Sequence, residues 1–342
     1  MRALVLKSGA LRVDDVPDPS PGSGQLLARS LACTICASDL HMVHHGRRLA
    51  EWSRTAGGPF DFDADQDLVL GHELCAEVVE YGPDTQGTVP VGERVVTGPM
   101  ILHDRGMAIV GYSNEYPGGF GELLVLSESS VLAVPEETPT DQAALMEPLS
   151  VGMLYTRVAD LQPGEVPLVI GCGAIGLAVV SALRWRGIGP IVAADLSPMR
   201  RQVAAAAGAD IVVDPAEDSP FAAWERAAGG GRCVVFECVG APGILNGIFD
   251  GAPWMSRVIV AGQNLDDDTL FTASAHTKGL NVQFGGMPES RDYSDALGAI
   301  ASGAIVVEPW LTGAAALEDA VQAFTDSTRT ERHTRIVVHP QE

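Results

Sequence analysis

The sequence predicts an α/β protein in which a doubly wound parallel sheet of six strands is inserted into an irregular β-barrel-like domain. Three observations point there. From Pro148 onward, apolar strands near 167–171, 190–194, 211–213, 234–238, 256–261 and 280–285 alternate with helical stretches, the rhythm of parallel strands joined by crossover helices. Before residue 150 the chain runs instead in short β-rich pieces such as AEVVEYG, ERVVTG and GELLVL, broken by turns such as PDPSPGSG. The third observation is a glycine triplet, Gly171, Gly173 and Gly176, set between an apolar strand and a helix.

Beyond residue 287, amphipathic segments near 290–302 and 315–325 precede a strand-like run, TRIVVH, so the chain is expected to return to its first domain. The predicted organisation is a catalytic domain of residues 1–148 and 288–342 and a nucleotide-binding domain of residues 149–287, with a site in the cleft between them. At 342 residues the chain has the length for two cores.

Charge narrows the partners. Acidic residues outnumber basic ones 44 to 22, for a formal charge of −22, and such a surface repels nucleic-acid phosphates and anionic lipid. Lys7 and Arg12 interrupt the first apolar run before a signal-like or membrane-spanning segment forms. The six cysteines then read as thiols in a reducing cytoplasm rather than as a disulfide framework.

The glycine triplet has the G-x-G-x-x-G spacing of a dinucleotide cradle, and its context is the demanding one of strand, glycines, helix and second strand. Gly171 permits the tight turn, Gly173 lets a pyrophosphate approach the backbone, and Gly176 lets helix and strand pack closely. The diphosphate would sit at the positive end of the helix. Asp195 ends the second strand and would accept hydrogen bonds from the adenine ribose, which favours NAD over NADP; Arg200 and Arg201 are the opposing signal. Ala174, Ile175, Arg200, Val239 and Gly262 are assigned to the same cradle.

The other chemistry lies in CTICASDLH (33–41), GHE (71–73) and MEPLSV (146–151). A thiolate, an imidazole and a carboxylate suit tetrahedral zinc with an open fourth position. On these motifs the chain resembles the zinc-dependent alcohol dehydrogenase branch of the medium-chain dehydrogenase/reductase superfamily, on its sorbitol, threonine and polyol dehydrogenase side, over nearly its full length. The resemblance implies a GroES-like catalytic domain and a Rossmann domain. It implies Cys36 and His72 as zinc ligands, Ser38 and His41 as a proton relay, and Asp39 as a carboxylate supporting His72. Glu147, before Pro148, corresponds to the third ligand; Glu73, beside His72, is a second candidate carboxylate, and because a catalytic zinc keeps one position open, Glu147 is expected to ligate at rest with Glu73 near it as a charge able to take its place. Arg335 matches, more loosely, an arginine that reaches the cofactor diphosphate.

Two departures from the family pattern are visible. Residues 92–115 hold no cysteine, whereas many relatives carry a four-cysteine structural zinc lobe there, so one catalytic zinc and no structural zinc is expected. The stretch between Cys36 and His72 is longer than usual and is expected to extend over the cleft. Cys33, Cys75, Cys172, Cys233 and Cys238 read as core thiols. His44, His45, His103, His276, His333 and His339 are assigned no role.

The expected activity is NAD-linked oxidation of a secondary alcohol or polyol. The alternatives are a zinc-free quinone or alkene reductase and a non-catalytic dinucleotide-binding protein. A homodimer or homotetramer is expected because the sixth strand, near LNVQFGG, leaves a sheet edge for a two-fold partner.

Overall fold

The computed structural model describes residues 1–60, 62–104 and 106–342. The chain opens with an antiparallel pair, β1 (Arg2–Lys7) and β2 (Ala10–Asp15), then the long β3 (Gln25–Thr34). Helix α1 (Ala37–Ala56) starts at Cys36 in a capping box with Asp39 and ends on Gly57 in the left-handed region (φ 71°). It is 20 residues long, with Asp39, Met42, Gly46, Leu49, Ala50 and Ser53 buried at helical spacing. β4 (Leu68–Val69) pairs with β1. β5 (Glu73–Tyr81), β6 (Arg94–Thr97), the hairpin of β7 (Met100–His103) and β8 (Gly106–Ile109), then β9 (Leu123–Ser127) and β10 (Val131–Ala133), complete the β-rich half.

Two helices, α2 (Thr140–Ala144) and α3 (Met146–Ala159), lead into the second half. There the elements are β11 (Glu165–Ile170), α4 (Ala174–Trp185), β12 (Val192–Ala194), α5 (Pro198–Ala206), β13 (Ile211–Val213) and α6 (Pro220–Ala228). They continue as β14 (Arg232–Glu237), α7 (Ile244–Gly251), β15 (Arg257–Val260), α8 (Ala273–Lys278) and β16 (Asn281–Phe284). The six strands are parallel in the order β13-β12-β11-β14-β15-β16. The expected doubly wound sheet is therefore present. Its strand order reverses between β11 and β14, which opens a crevice at their carboxyl ends.

The chain closes with α9 (Ser290–Ala301), β17 (Leu311–Ala316), α10 (Ala320–Ser327) and β18 (Arg335–His339). β18 pairs with both β17 and β3, so the C-terminus joins the N-terminal mixed sheet in the order β10-β6-β5-β3-β18-β17, with β9 also on β3. Here the structure corrects the reading of 315–325 as one amphipathic segment: Ala315 and Ala316 end a strand, and the helix begins at Ala320. The alanines favour helix, but parallel pairing with β18 overrides that weak preference.

The two halves meet through α3. A Cβ on Gly152 would lie 2.4 Å from the Ala178 carbonyl oxygen, so α3 and α4 cross backbone to backbone. The boundary expected at 148/149 falls in the first turn of α3. No helix among the described residues is long and apolar enough to cross a membrane.

Candidate active site

The register of β3 on β5 assembles the donor cluster. Thr34 pairs with Glu73, so Cys36, two residues past Thr34, meets His72, the residue just before Glu73. Gly71 holds φ 104°, and a Cβ there would strike Cys33 Sγ at 2.7 Å and the Phe120 backbone nitrogen at 2.9 Å, which confines this position to glycine. The ligating atoms of Cys36, His72 and Glu73 all lie within 4.8 Å of one another. Zinc bonds of about 2.0–2.3 Å set tetrahedral ligand atoms roughly 3.3–3.8 Å apart, so this cluster can hold the ion with a closure of no more than about 1.5 Å.

Glu73 is fully buried and heavily engaged. Arg335 Nη2 donates to its Oε1 at 2.9 Å, and the Thr34 hydroxyl donates to its Oε2. Arg335 arrives on β18, which pairs with β3 at Val337 and Thr34, and its Nη2 also lies 3.8 Å from Cys36 Sγ. The expected diphosphate arginine is thus seated on the donor cluster, with its Nε unpartnered. Glu147, in the first turn of α3, is buried nearby; it is not one of the three donors within 4.8 Å. Burial pushes its carboxyl up to about 7, against the pull of His72 and Arg335.

Around His72 the expected Asp39 support lies close without a hydrogen bond being made, and Nδ1 has no hydrogen-bond partner among the described residues. Asp39 Oδ1 is 3.7 Å from Nδ1, while Asp39 Oδ2 accepts the Cys36 backbone N–H at 2.9 Å. Burial alone would lower the His72 pKa, but Asp39 and Cys36 hold it well above its ordinary value. Burial, and then Glu73, raise the Cys36 thiol. Ser38 Oγ lies 3.5 Å from His72 Nε2, and Tyr112, absent from the sequence reading, donates its hydroxyl to Ser38 Oγ at 2.8 Å. His41 lies one turn along α1 from Ser38, with its ring centroid 6.1 Å from that of His45; burial lowers its pKa.

The glycine cradle lies at the crevice. A Cβ on Gly171 (φ 92°) would meet the Val239 side chain at 2.7 Å, and one on Gly176 would stand 1.8 Å from the Gly171 carbonyl oxygen. Above Gly173 there is only Arg200 Nη1, at 3.8 Å, so the start of α4 is left open, without a side-chain cap, as a pyrophosphate requires. Ala174 is buried, Ile175 half-buried and Val239 exposed. A Cβ on Gly262 would meet the Gly240 nitrogen at 2.3 Å. Glu237, also absent from the sequence reading, accepts the Val239 and Gly240 N–H groups at 2.7 and 2.8 Å and shapes this rim.

Asp195 ties β12 to the cradle by accepting the Cys172 N–H and the Ser197 N–H, each at 2.7 Å. Arg201 is committed to Asp214 at 3.0 Å and to the Asp195 carbonyl at 2.7 Å. Arg200 Nη2 reaches the His333 carbonyl at 3.4 Å across the two halves, and its buried Nε has no partner.

The long segment after Cys36 does bridge the cleft. From α1, Arg48 pairs with Asp267 at 2.5 Å and His45 Nε2 lies 4.0 Å from Asp266, both on the loop after β15. A cavity of about 300 Å³ opens between them, lined by His45, Arg48, Trp52, Gln263, Asn264 and Asp266 among others. All six cysteines are free thiols; Cys33, Cys75, Cys172 and Cys233 are buried as expected, while Cys238 at the crevice is only half-buried.

Residues 22–136 match the alcohol dehydrogenase GroES-like domain and residues 174–302 match the zinc-binding dehydrogenase family. The chain is 33% identical over 254 residues to the (R,R)-butanediol dehydrogenase of Bacillus subtilis (strain 168), covering 69% of each chain. To the sorbitol dehydrogenase of Gallus gallus it is 27% identical, over 97% of this chain and 94% of that protein. The crystal structure of 2R,3R-butanediol dehydrogenase from Bacillus subtilis superposes with a TM-score of 0.82 at 26% identity, over 99% of both chains. Two mutually supporting halves, a donor cluster and a dinucleotide crevice define a class of oxidoreductase. The chain belongs to the zinc-dependent alcohol and polyol dehydrogenases of the medium-chain dehydrogenase/reductase superfamily. That family uses zinc and NAD(P) on small alcohols.

Proposed function

We propose that this enzyme oxidises a secondary alcohol or polyol with NAD, at one zinc held by Cys36, His72 and Glu147, with Glu73 as the carboxylate that exchanges with Glu147. The observation that carries a metal site here is the cluster of Cys36, His72 and Glu73 beside Ser38, whereas the choice of Glu147 over Glu73 rests on the bonds that already engage Glu73. Zinc in a catalytic site keeps one position open, so both glutamates do not bind at once. Thr34 and Arg335 already occupy and neutralise Glu73, which favours Glu147 as the resting anionic ligand. Arg335, held on Glu73 and buried, would have to leave that carboxylate to reach the diphosphate.

When bound, zinc supplies the Lewis acid that acidifies a hydroxyl, and nicotinamide supplies the hydride acceptor. Ser38 Oγ would accept the hydroxyl proton as it gives up its own, and His41, one turn along the same helix, would be the relay's solvent-side member. Asp39, with Oδ1 3.7 Å from His72 Nδ1, is placed to accept that ring N–H and orient the ring once the site closes. Burial of Glu73, His72 and Asp39 keeps water from competing around them.

For the cofactor, the Asp195 carboxylate repels a 2′-phosphate, and Arg201, neutralised by Asp214, is not free to attract one. Gly171, Gly173, Ala174, Ile175, Gly176, Val239 and Gly262 form the cradle, with Arg200 on its flank. Residues 149–287 act as the nucleotide-binding domain on the remainder. β16 ends its sheet with Phe284 63% exposed, which supports a two-fold contact and a homodimer or homotetramer. Six free thiols suit a reducing cytoplasm.

The test is turnover of vicinal diols, polyols and secondary alcohols with NAD and with NADP, read as the reduced cofactor's absorbance. Oxidation of at least one such alcohol with NAD preferred is expected. NAD binding without turnover by zinc-loaded protein overturns the catalytic assignment, and undiminished activity after chelation overturns the metal's role.

A further inference from the structure

Tyr112 lies in the segment that holds no cysteine, on the turn that follows the β7–β8 hairpin, and it is 5% exposed. Its position is set by backbone packing. The turn is closed by the Tyr112 N–H on the Ile109 carbonyl at 3.0 Å, and a Cβ on the preceding Gly111 (φ 79°) would lie 2.9 Å from the nitrogen of Gly71. The residue before Tyr112 therefore rests on the residue before His72. The Tyr112 ring is 5.1 Å from the His72 ring and packs edge-on against Phe60 at 5.6 Å, so it has little freedom to turn.

Its hydroxyl has two acceptors within reach, Ser38 Oγ at 2.8 Å and Asp39 Oδ1 at 3.5 Å. The shorter contact takes the proton. A serine hydroxyl carries one proton and two lone pairs. With one lone pair filled by Tyr112, Ser38 keeps one lone pair to accept a proton from an alcohol and one O–H to donate onward. Those are the two valences a proton relay uses. The same contact polarises the serine oxygen and makes its own proton easier to pass on. Without Tyr112, Ser38 is free to turn its proton toward Asp39 or His72, and the relay is then broken at its first member.

We propose that Tyr112 is a positioning residue that locks Ser38 in the relay-competent orientation. The proposal rests on the reading of Ser38 as the first proton acceptor. It makes the cysteine-free segment a part of the active site.

The experiment uses the zinc-loaded full chain and Tyr112→Phe, which keeps the ring against Phe60 and His72 and removes only the hydroxyl. Loss of one such hydrogen bond is expected to lower kcat about tenfold, with KM and zinc content near wild type. In a Ser38→Ala background, Tyr112→Phe is expected to add no further loss, because the residue acts through that serine. A crystal structure of metal-free Tyr112→Phe is expected to show Ser38 in another rotamer or in two. A wild-type kcat in Tyr112→Phe, the same loss with Ser38 already removed, or an unchanged Ser38 rotamer overturns the proposal. If the wild type turns over no alcohol, the functional reading fails instead, and the Ser38 rotamer still decides the role of Tyr112.

Discussion

Glu73 and Glu147 differ less in chemistry than in company. Glu73 accepts from Thr34 and Arg335, whereas Glu147 is buried with no cationic hydrogen-bond partner among the described residues. Glu147→Ala is expected to lose zinc readily and Glu147→Cys to retain it with some activity, while Glu73→Gln keeps the metal and slows turnover; elemental analysis of purified variants beside rates checks all three. Zinc retained in Glu147→Ala and lost in Glu73→Gln would reverse the two roles. Burial also makes Glu147 pH-sensitive. Its folded-state value of about 7 exceeds the ordinary 4.5, so in metal-free protein the folded state holds a proton that the unfolded state has released across that window. Stability is then lost as pH rises from about 4.5 to 7, by up to about 3 kcal/mol. Thermal melts of metal-free protein at pH 5.5 and 8 are expected to differ in that sense, and Glu147→Gln to remove most of the difference. Tyr112 sits in no motif and Thr34, although inside CTICASDLH, shows no role there, since both act through partners 74 and 39 positions away.

At the scale of elements, the contact of α3 with α4 sets the separation of the donor cluster from the glycine cradle. α3 carries Glu147 in its first turn, and α4 begins beside Gly173. Gly152→Ala would drive a Cβ into the Ala178 backbone and push the helices apart. Overpacking of this kind costs about 1–3 kcal/mol. A lower Tm and weaker NADH binding, with zinc content unchanged, are the expected results; an unaltered melt would show that the crossing relaxes without cost. The strands and glycines of this half were legible because apolar runs and G-x-G-x-x-G spacing are local. Helix α1 was not recognised, although Asp39, Met42, Gly46, Leu49, Ala50 and Ser53 do recur at helical spacing. His44, His45, Arg47 and Arg48 dilute that signal by facing outward from the same turns. Only Ala315 and Ala316 of β17 fall in the expected amphipathic segment 315–325, because alanines say nothing of the partner strand.

For the whole molecule, the absence of cysteine between 92 and 115 turns on how that lobe is held. Ile101, Ile109 and Val110 are buried there in the core of the β-rich half, so apolar packing fills the place of a metal. One zinc per chain is expected, and chelation is expected to abolish turnover while leaving the far-ultraviolet circular dichroism largely unchanged. Two zincs per chain, or unfolding on chelation, would contradict this. The ion pairs of α1 with the loop after β15 cross between the halves at the surface, where each is worth about 0–1 kcal/mol, so they guide the halves more than they bind them.

By itself the sequence determined the two-part α/β architecture and pointed to the dinucleotide cradle and to Cys36, His72, Ser38, Asp39 and His41 as the candidate site. Those features are written in short local motifs, such as Cys36 to His41, Gly71 to Glu73 and Gly171 to Gly176, whose spacings backbone geometry converts directly into shape. Only the tertiary structure decided that Arg335 rests on Glu73, 262 positions away, that Tyr112 meets Ser38, and that α1 spans the cleft. Such partners are selected by strand register and by the return of a distant chain segment. Hydrogen bonds made across that distance leave no period in the sequence, because each needs only one suitable atom at one point in space.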